Sequence, residues 1–384
     1  MENGNGTRFL NFMVVIYPLL DIIYSLNNII LKVNLPINQA ARFLFMLYLL
    51  KFVKKKSYVI IAVLFSILTL GEITFIYQGN IDLFGDITYI TKLLFFAITI
   101  YGIQGMLEEK IITPNKLISL MVNSSYIICA SVILSGFGFG FSSWGENSLR
   151  SGVKGLFTVQ NTVTATLLII FPMCLLLYNE TKKIKYIINF LLIFLSLALL
   201  GTKAGLAGAV ILSAIQLIYL FVKTKTTYLK MTLTCFLILV IMFFVYASIG
   251  YVRTFINAQQ VIYNQFGYKN FYSFLLSNRD LQILALEHYI NAFVGIKPTL
   301  TFGLGYSYSN ELIHNFKADF EAIEMDFYGI YYYSGIWILL LFIVIIAKRY
   351  INSITNLFKT RVSFYDLSIF LSLTVGIFHA VYGG

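Results

Sequence analysis

Residues Phe157–Tyr178 read FTVQNTVTATLLIIFPMCLLLY and hold no Asp, Glu, Lys or Arg. A helix of about 20 mostly apolar residues, rising 1.5 Å per residue, is long enough to cross the ~30 Å hydrocarbon layer of a bilayer. Tyr58–Tyr77 and Leu229–Gly250 read the same way. An unpaired backbone amide in lipid costs several kcal/mol, so spanning segments are helices or strands of a closed barrel. Barrel strands alternate apolar and polar residues over about ten positions; these runs are longer and continuous. The expected fold class is therefore all-α, a polytopic membrane helix bundle. The whole chain agrees, with 59% hydrophobic and 12% charged residues and a mean hydropathy of +0.81, where soluble domains carry about 25% charge.

Eleven spans are expected, near 10–31, 36–53, 58–78, 87–107, 117–141, 157–178, 184–201, 204–222, 229–250, 328–347 and 362–382. Alternate connections hold sixteen Lys and Arg residues, including Lys51, Lys54, Lys55 and Lys56, whereas the opposite short set carries Lys32, Arg42, Arg150, Lys154 and Lys203. Basic residues mark the cytoplasmic side. The N-terminus is then cytoplasmic in a multi-pass protein of the cytoplasmic membrane, and the long loop 251–327 is extracytoplasmic. The chain divides into spans one to nine (1–250), this loop subdomain (251–327) and spans ten and eleven (328–384). In the loop, Ser277-Asn278-Arg279-Asp280 predicts a capped helix start, with an acid in the first turn favoured by the helix dipole. That helix is expected to reach Phe293 with an apolar face from Leu281, Ile283, Leu284, Leu286 and Ile290, and Pro298 and Gly303-Leu304-Gly305 then form turns.

Other function classes fall away. Cys129, Cys174 and Cys235 all lie in apolar spans and offer neither a disulfide framework nor metal-ligand spacing. The net charge of +11 is spread over short connections rather than gathered in a patch, so no nucleic-acid partner is expected. Arg8 alone precedes the first apolar run, which lacks a small-residue cleavage site and is expected to stay attached. The sequence given stops at Tyr382-Gly383-Gly384 as the last span surfaces, leaving room for a twelfth span in a longer parent.

Charged residues near the membrane are the functional candidates. Glu72 and Lys92 lie at equal distance from the turn between their spans and are expected to pair. Asp21 has no partner visible in the sequence. Asp82 and Asp86 read as a solvated turn rather than a cation site. Arg150, Lys154, Lys203, Arg253 and Arg279 stand where outside bias disfavours cations, and together they suit an anionic lipid-linked diphosphate, which a guanidinium grips bidentately; contact with lipid headgroups is the plain alternative. His288, His314 and His379 all map to the loop or an outer helix end, and histidine is the side chain suited to moving a proton near neutrality. His288 reads as a surface residue of its helix, and His379 as either facing the pocket or packing. His314, in the turn-rich half of the loop, is the stronger general-base candidate. Glu324 and Asp326 directly precede the tenth span, where they either complement its dipole or act as carboxylate base or orienting group.

Ser277-Asn278-Arg279, the helix after it, Pro298 and Gly303-Leu304-Gly305-Tyr306 resemble the outer loop of O-antigen polymerases and ligases. Arg150-Ser151-Gly152-Val153-Lys154-Gly155-Leu156-Phe157 with Asn161, and Leu200-Gly201-Thr202-Lys203-Ala204-Gly205-Leu206, are similar to that family's motifs at span ends, and His314-Asn315 precedes a span opening Tyr328-Gly329. Residues 150–336 carry the resemblance. Lys203 stands where the family often has arginine, and the longer segment after His314, with Glu324 and Asp326, tilts the reading from ligase toward polymerase. The resemblance implies a membrane glycosyltransferase that joins polyprenyl-diphosphate-linked oligosaccharide repeat units into a capsule, exopolysaccharide or O-antigen, with undecaprenyl diphosphate released. It implies no cofactor and no metal, catalytic roles for His314, Arg279, Glu324 and Asp326, and substrate binding by Arg150, Lys154, Lys203 and Arg253. Membrane lipid and other polysaccharide-assembly proteins are the expected partners. The alternatives are ligase-type transfer to another acceptor, and a flippase or transporter of the same lipid-linked saccharide; the absence of an internal repeat weighs against transport.

Overall fold

The computed structural model describes residues 4–33, 37–77, 82–142, 152–223, 279–290, 301–316, 323, 325–358 and 363–382. They form an all-α polytopic membrane bundle: α1 (Gly4–Leu26, continued by a π-helical turn Asn27–Leu31), α2 (Ile37–Leu50), α3 (Lys55–Tyr77), α4 (Leu83–Glu108), α5 (Pro114–Gly136), α6 (Gln160–Thr181), α7 (Lys185–Leu200), α8 (Lys203–Lys223), α9 (Arg279–Tyr289), α10 (Tyr306–Phe316), α11 (Asp326–Leu357) and α12 (Phe364–Tyr382). A small antiparallel pair, β1 (Phe141–Ser142) and β2 (Val153–Gly155), precedes α6. Among the described residues eight helices are long and apolar enough to cross a membrane. Two expected spans are shorter helices: α2, of 14 residues, and α7, of 16, reach about 21 and 24 Å at 1.5 Å per residue. The expected span 229–250 and Cys235 lie outside the described residues.

The chain forms two compact units: residues 1–124, 278–349 and 378–383 in the first, and 125–277, 350–377 and 384 in the second. In lipid the tails are as apolar as leucine, so helices associate through close packing and hydrogen bonds rather than by escaping water. In the first unit α2 packs on α4, with Gly105 set against the carbonyl of Phe52 and Gly102 against Leu49. A Cβ at Gly102 would stand 2.9 Å from the Leu49 carbonyl oxygen, so glycine is what lets the backbones approach. Leu10, Leu49, Met106 and Ile112 fill the surrounding core, and Leu64, Leu68, Leu93, Ile338 and Phe342 join α3, α4 and α11.

Polar bonds finish this packing. Asp21 finds its partner in Asn38, whose Nδ2 donates to Oδ1 at 2.7 Å, and Arg42 Nε donates to the Tyr17 hydroxyl at 2.6 Å. The expected Glu72–Lys92 pair does not form. Among the described residues the only ion pair within 4.0 Å joins Lys54 to Glu108, while Lys92 interacts with Asp326 and Glu72 is placed near Asp86. Equal distance along two antiparallel helices sets depth only; rotation about each axis turned these side chains to different neighbours.

In the second unit α6 is the most buried helix and packs on α7 and α8. Phe171 stacks on Phe190 at 4.3 Å. Asn189 Nδ2 donates to Ser125 Oγ at 3.0 Å, and Gln216 Nε2 donates to both the Pro172 carbonyl (2.9 Å) and Ser368 Oγ (3.0 Å). Cys129 and Cys174 are buried free thiols, in line with their expected role as small hydrophobes.

Candidate functional site

In the first unit, α9 and α10 pack through Leu286, Ile290 and Ile313. α9 is described from Arg279 onward, on the stretch where a helix is expected; residues 277, 278 and 291–300, including the proposed cap and Pro298, lie outside the described residues. α10 occupies the half of the loop expected to be turn-rich, directly after the Gly303-Leu304-Gly305 turn. Its sequence, YSYSNELIHNF, is rich in Tyr, Ser and Asn, which have modest helix propensity. Tertiary contacts override that preference, because α10 is capped from another helix.

The first amide hydrogens of any helix lack partners within it. At α10 the carboxylate of Asp86, on α4, accepts the Ser307 N–H at 2.9 Å and also that of Tyr306. Ser307 Oγ donates to the Asp82 carbonyl at 3.3 Å, and Asp82 itself caps α4 by accepting from the Gly85 amide at 3.3 Å. The expected solvated turn is thus a docking clamp: Asp86 is 3% exposed, its charge set against the positive end of the α10 dipole.

Asp86, Tyr89 and Lys92 recur every three residues on α4 and so share a face. The rings of Tyr89, Tyr306 and Tyr333 form a triangle with each centroid pair 5.1 Å apart. The Tyr333 hydroxyl donates to Asn310 Oδ1 at 2.9 Å and accepts the Ile323 N–H at 2.7 Å. The neighbouring Tyr332 hydroxyl donates to Glu287 on α9 at 3.3 Å.

α11 is interrupted at Gly335, where φ is +81° and ψ 178°. A break inside an apolar helix leaves carbonyls that lipid cannot satisfy. The Gly303-Leu304-Gly305 turn supplies the missing donors, from the Leu304 amide to the Tyr332 carbonyl (2.7 Å) and from the Gly305 amide to the Tyr333 carbonyl (3.1 Å). A Cβ on Gly303 would fall 2.5 Å from the carbonyl carbon and oxygen of Tyr333. Glycine here permits both the left-handed backbone and the approach.

His314 is exposed in the last turn of α10. Arg279, in α9, is buried, 9% exposed. Asp326 stands exposed in the first turn of α11 and shares an electrostatic interaction with Lys92. Lys92 holds its ammonium 5.9 Å from the centre of the Tyr306 ring. His288 is exposed in the last turn of α9, as a surface residue should be, and His379 is half-buried in the last turn of α12. Glu324, Arg150 and Arg253 lie outside the described residues.

The second unit holds the two earlier motifs, and they meet. Gly152 approaches the Leu200 carbonyl oxygen so closely that a Cβ would stand 2.5 Å from it, and Gln160 Nε2 donates to that same oxygen. Thr202 caps α8 by accepting the Gly205 N–H at 3.1 Å, with its hydroxyl 3.2 Å from that of Thr164. Lys154, on β2, lies 6.0 Å from the centre of the Phe141 ring, and Lys203 is the first residue of α8.

Sequence reading missed the tyrosine triangle and the clamp at Asp86. It also gave Lys92 the wrong partner. A periodicity of three through Asp86, Tyr89 and Lys92 was the available signal, obscured because tyrosine and aspartate each read as turn or interface residues near a span end.

No curated protein and no solved structure matches the chain. The sequence profile of the family described as O-antigen ligase like membrane protein matches residues 4–268, more than half of the 384; α9 to α12 follow the matched region. With ten described helices of spanning or near-spanning apolar character and both upstream motifs folded against each other, the chain belongs to the O-antigen ligase like membrane protein family, a family of polysaccharide assembly.

Proposed function

We propose that the protein is a glycosyltransferase of the cytoplasmic membrane that polymerises polyprenyl-diphosphate-linked oligosaccharide repeat units on its outer side, with the loop 251–327 extracytoplasmic. The observation that carries this reading is the joint presence, on packed helices of one unit, of a buried guanidinium at Arg279 and an exposed imidazole at His314, in a member of a family that handles O-antigen.

In the reaction, the acceptor hydroxyl oxygen attacks the anomeric carbon of the donor sugar. The bond from that carbon to the phosphate oxygen breaks, polyprenyl diphosphate leaves with the bonding pair, and the hydroxyl proton passes to His314. Asp326 and Glu324 are the alternative bases or orienting groups. Arg279 neutralises the leaving diphosphate, and Arg150, Lys154, Lys203 and Arg253 are the substrate-binding cations that the family resemblance implies; one well-placed donor of this kind is worth about 10²–10³ in rate. Side-chain cations fill the role in this reading, so it calls on no metal or cofactor.

The long segment after His314, with Glu324 in it and Asp326 at the head of α11, favours repeat-unit polymerisation. Ligase-type transfer to another acceptor uses the same donor and the same leaving group. Membranes containing the protein, given lipid-linked repeat units, distinguish them: ladders of added units support polymerase, and a single transfer to a lipid or protein acceptor supports ligase.

A further inference from the structure

The first unit brings together two cations that the transferase reading does not use. Arg42 stands in the second turn of α2 and Lys92 in the third turn of α4, on helices that pack together. Tyr17 links them: its hydroxyl accepts from Arg42 Nε at 2.6 Å, and its ring stacks, nearly parallel, 6.1 Å from Phe95, one turn beyond Lys92.

Charges within membrane helices are costly and mark functional sites. A structural charge is expected to be closed into an ion pair, yet neither cation lies within 4.0 Å of a carboxylate among the described residues. Asp21 and Asp326 act on Arg42 and Lys92 only from farther away, and Asp21 is held by Asn38. The close partners are neutral, the Tyr17 hydroxyl for one and the Tyr306 ring for the other. With Nε engaged, the two terminal nitrogens of Arg42 have no hydrogen-bond partner among the described residues, leaving the fork that binds phosphate oxygens bidentately. Lys92 is exposed and adds a compact point charge.

We propose that Arg42 and Lys92 form a binding site for a lipid-borne phosphate or diphosphate group. Identifying that lipid as the polyprenyl diphosphate donor rests on the transferase reading; the phosphate chemistry rests on the two side chains. The site gives the donor an anchor in addition to Arg279.

The test is binding of polyprenyl diphosphate, polyprenyl monophosphate and phosphatidylglycerol to the purified full chain in detergent, read by native mass spectrometry. Arg42→Gln and Lys92→Gln are expected to weaken retention at least tenfold each. Arg42→Lys, which keeps the charge and loses the fork, is expected to fall between and serves as the readout where a glutamine variant is not recovered folded. Loss confined to the polyprenyl lipids identifies the donor as occupant, and equal loss for phosphatidylglycerol identifies an ordinary headgroup; either supports the site. Wild-type retention of all three lipids by the charge-removing variants, or by Arg42→Lys where that is the readout, overturns it. The assay contains no sugar or acceptor, so it is separable from the transferase reading. Binding through Arg42 and Lys92 without glycosidic bond formation keeps the site and removes the transferase, while normal chain growth with wild-type lipid retention in both glutamine variants does the reverse.

Discussion

Asp86→Ala removes the clamp that docks α10, and the structure fixes what that costs. Two α10 amides, those of Tyr306 and Ser307, donate to one carboxylate. A hydrogen bond to a charged group contributes about 1.5–3 kcal/mol, and losing it strands a buried donor. Taking the lower figure for each gives about 3 kcal/mol, and at 1.4 kcal/mol per factor of ten this is roughly a 150-fold larger open population of the N-terminus of α10. Amide hydrogen exchange in detergent, read on peptides covering 304–312, is the assay. Faster exchange is expected there, while peptides of the second unit such as 164–177 stay protected. Asp86→Asn keeps the shape and one neutral acceptor, so its effect is expected to be about half as large in kcal/mol. Unchanged exchange at Tyr306 and Ser307 in Asp86→Ala would refute the reasoning, because α10 would then be held by its apolar face alone.

Other perturbations follow from the same geometry. Gly303→Ala places a methyl against the Tyr333 carbonyl at a position with φ of +83°; left-handed backbone alone costs roughly 1–2 kcal/mol, so a lowered thermal midpoint is expected, and an unchanged one would show that the turn moves freely. Tyr333→Phe leaves the buried Ile323 N–H and Asn310 Oδ1 without their shared hydroxyl. The expected loss is about 1–3 kcal/mol by denaturant titration, with chain growth reduced in step. Arg279→Ala is expected to lower repeat-unit addition about 10²–10³-fold while the protein still inserts and elutes as a single species. A wild-type rate would remove the diphosphate role from Arg279.

Much of the bundle was legible because a long apolar run has one solution in lipid. Span positions followed from Phe157–Tyr178 and its like, and a helix over 279–289 followed from the apolar face of Leu281, Ile283, Leu284 and Leu286. α10 was illegible for the opposite reason: its cap, Asp86, lies 221 positions away in sequence from Ser307. The break at Gly335 was equally hidden, since Tyr331-Tyr332-Tyr333-Ser334-Gly335 reads as uninterrupted span until the Gly303–Gly305 turn is brought against it. Lys92 shows the limit of depth arguments. Its distance from the turn suggested Glu72, and only the facing of α4 toward α10 and α11 shows Tyr306 and Asp326 instead.

The most direct test of the central claim supplies polyprenyl-diphosphate-linked repeat units to proteoliposomes holding the purified protein, and follows glycan length and released polyprenyl diphosphate together. The account predicts ladders with one lipid diphosphate freed per added unit, both abolished or strongly slowed in His314→Ala and Arg279→Ala. Movement of the lipid-linked saccharide across the bilayer with no new glycosidic bond and no freed diphosphate would contradict it.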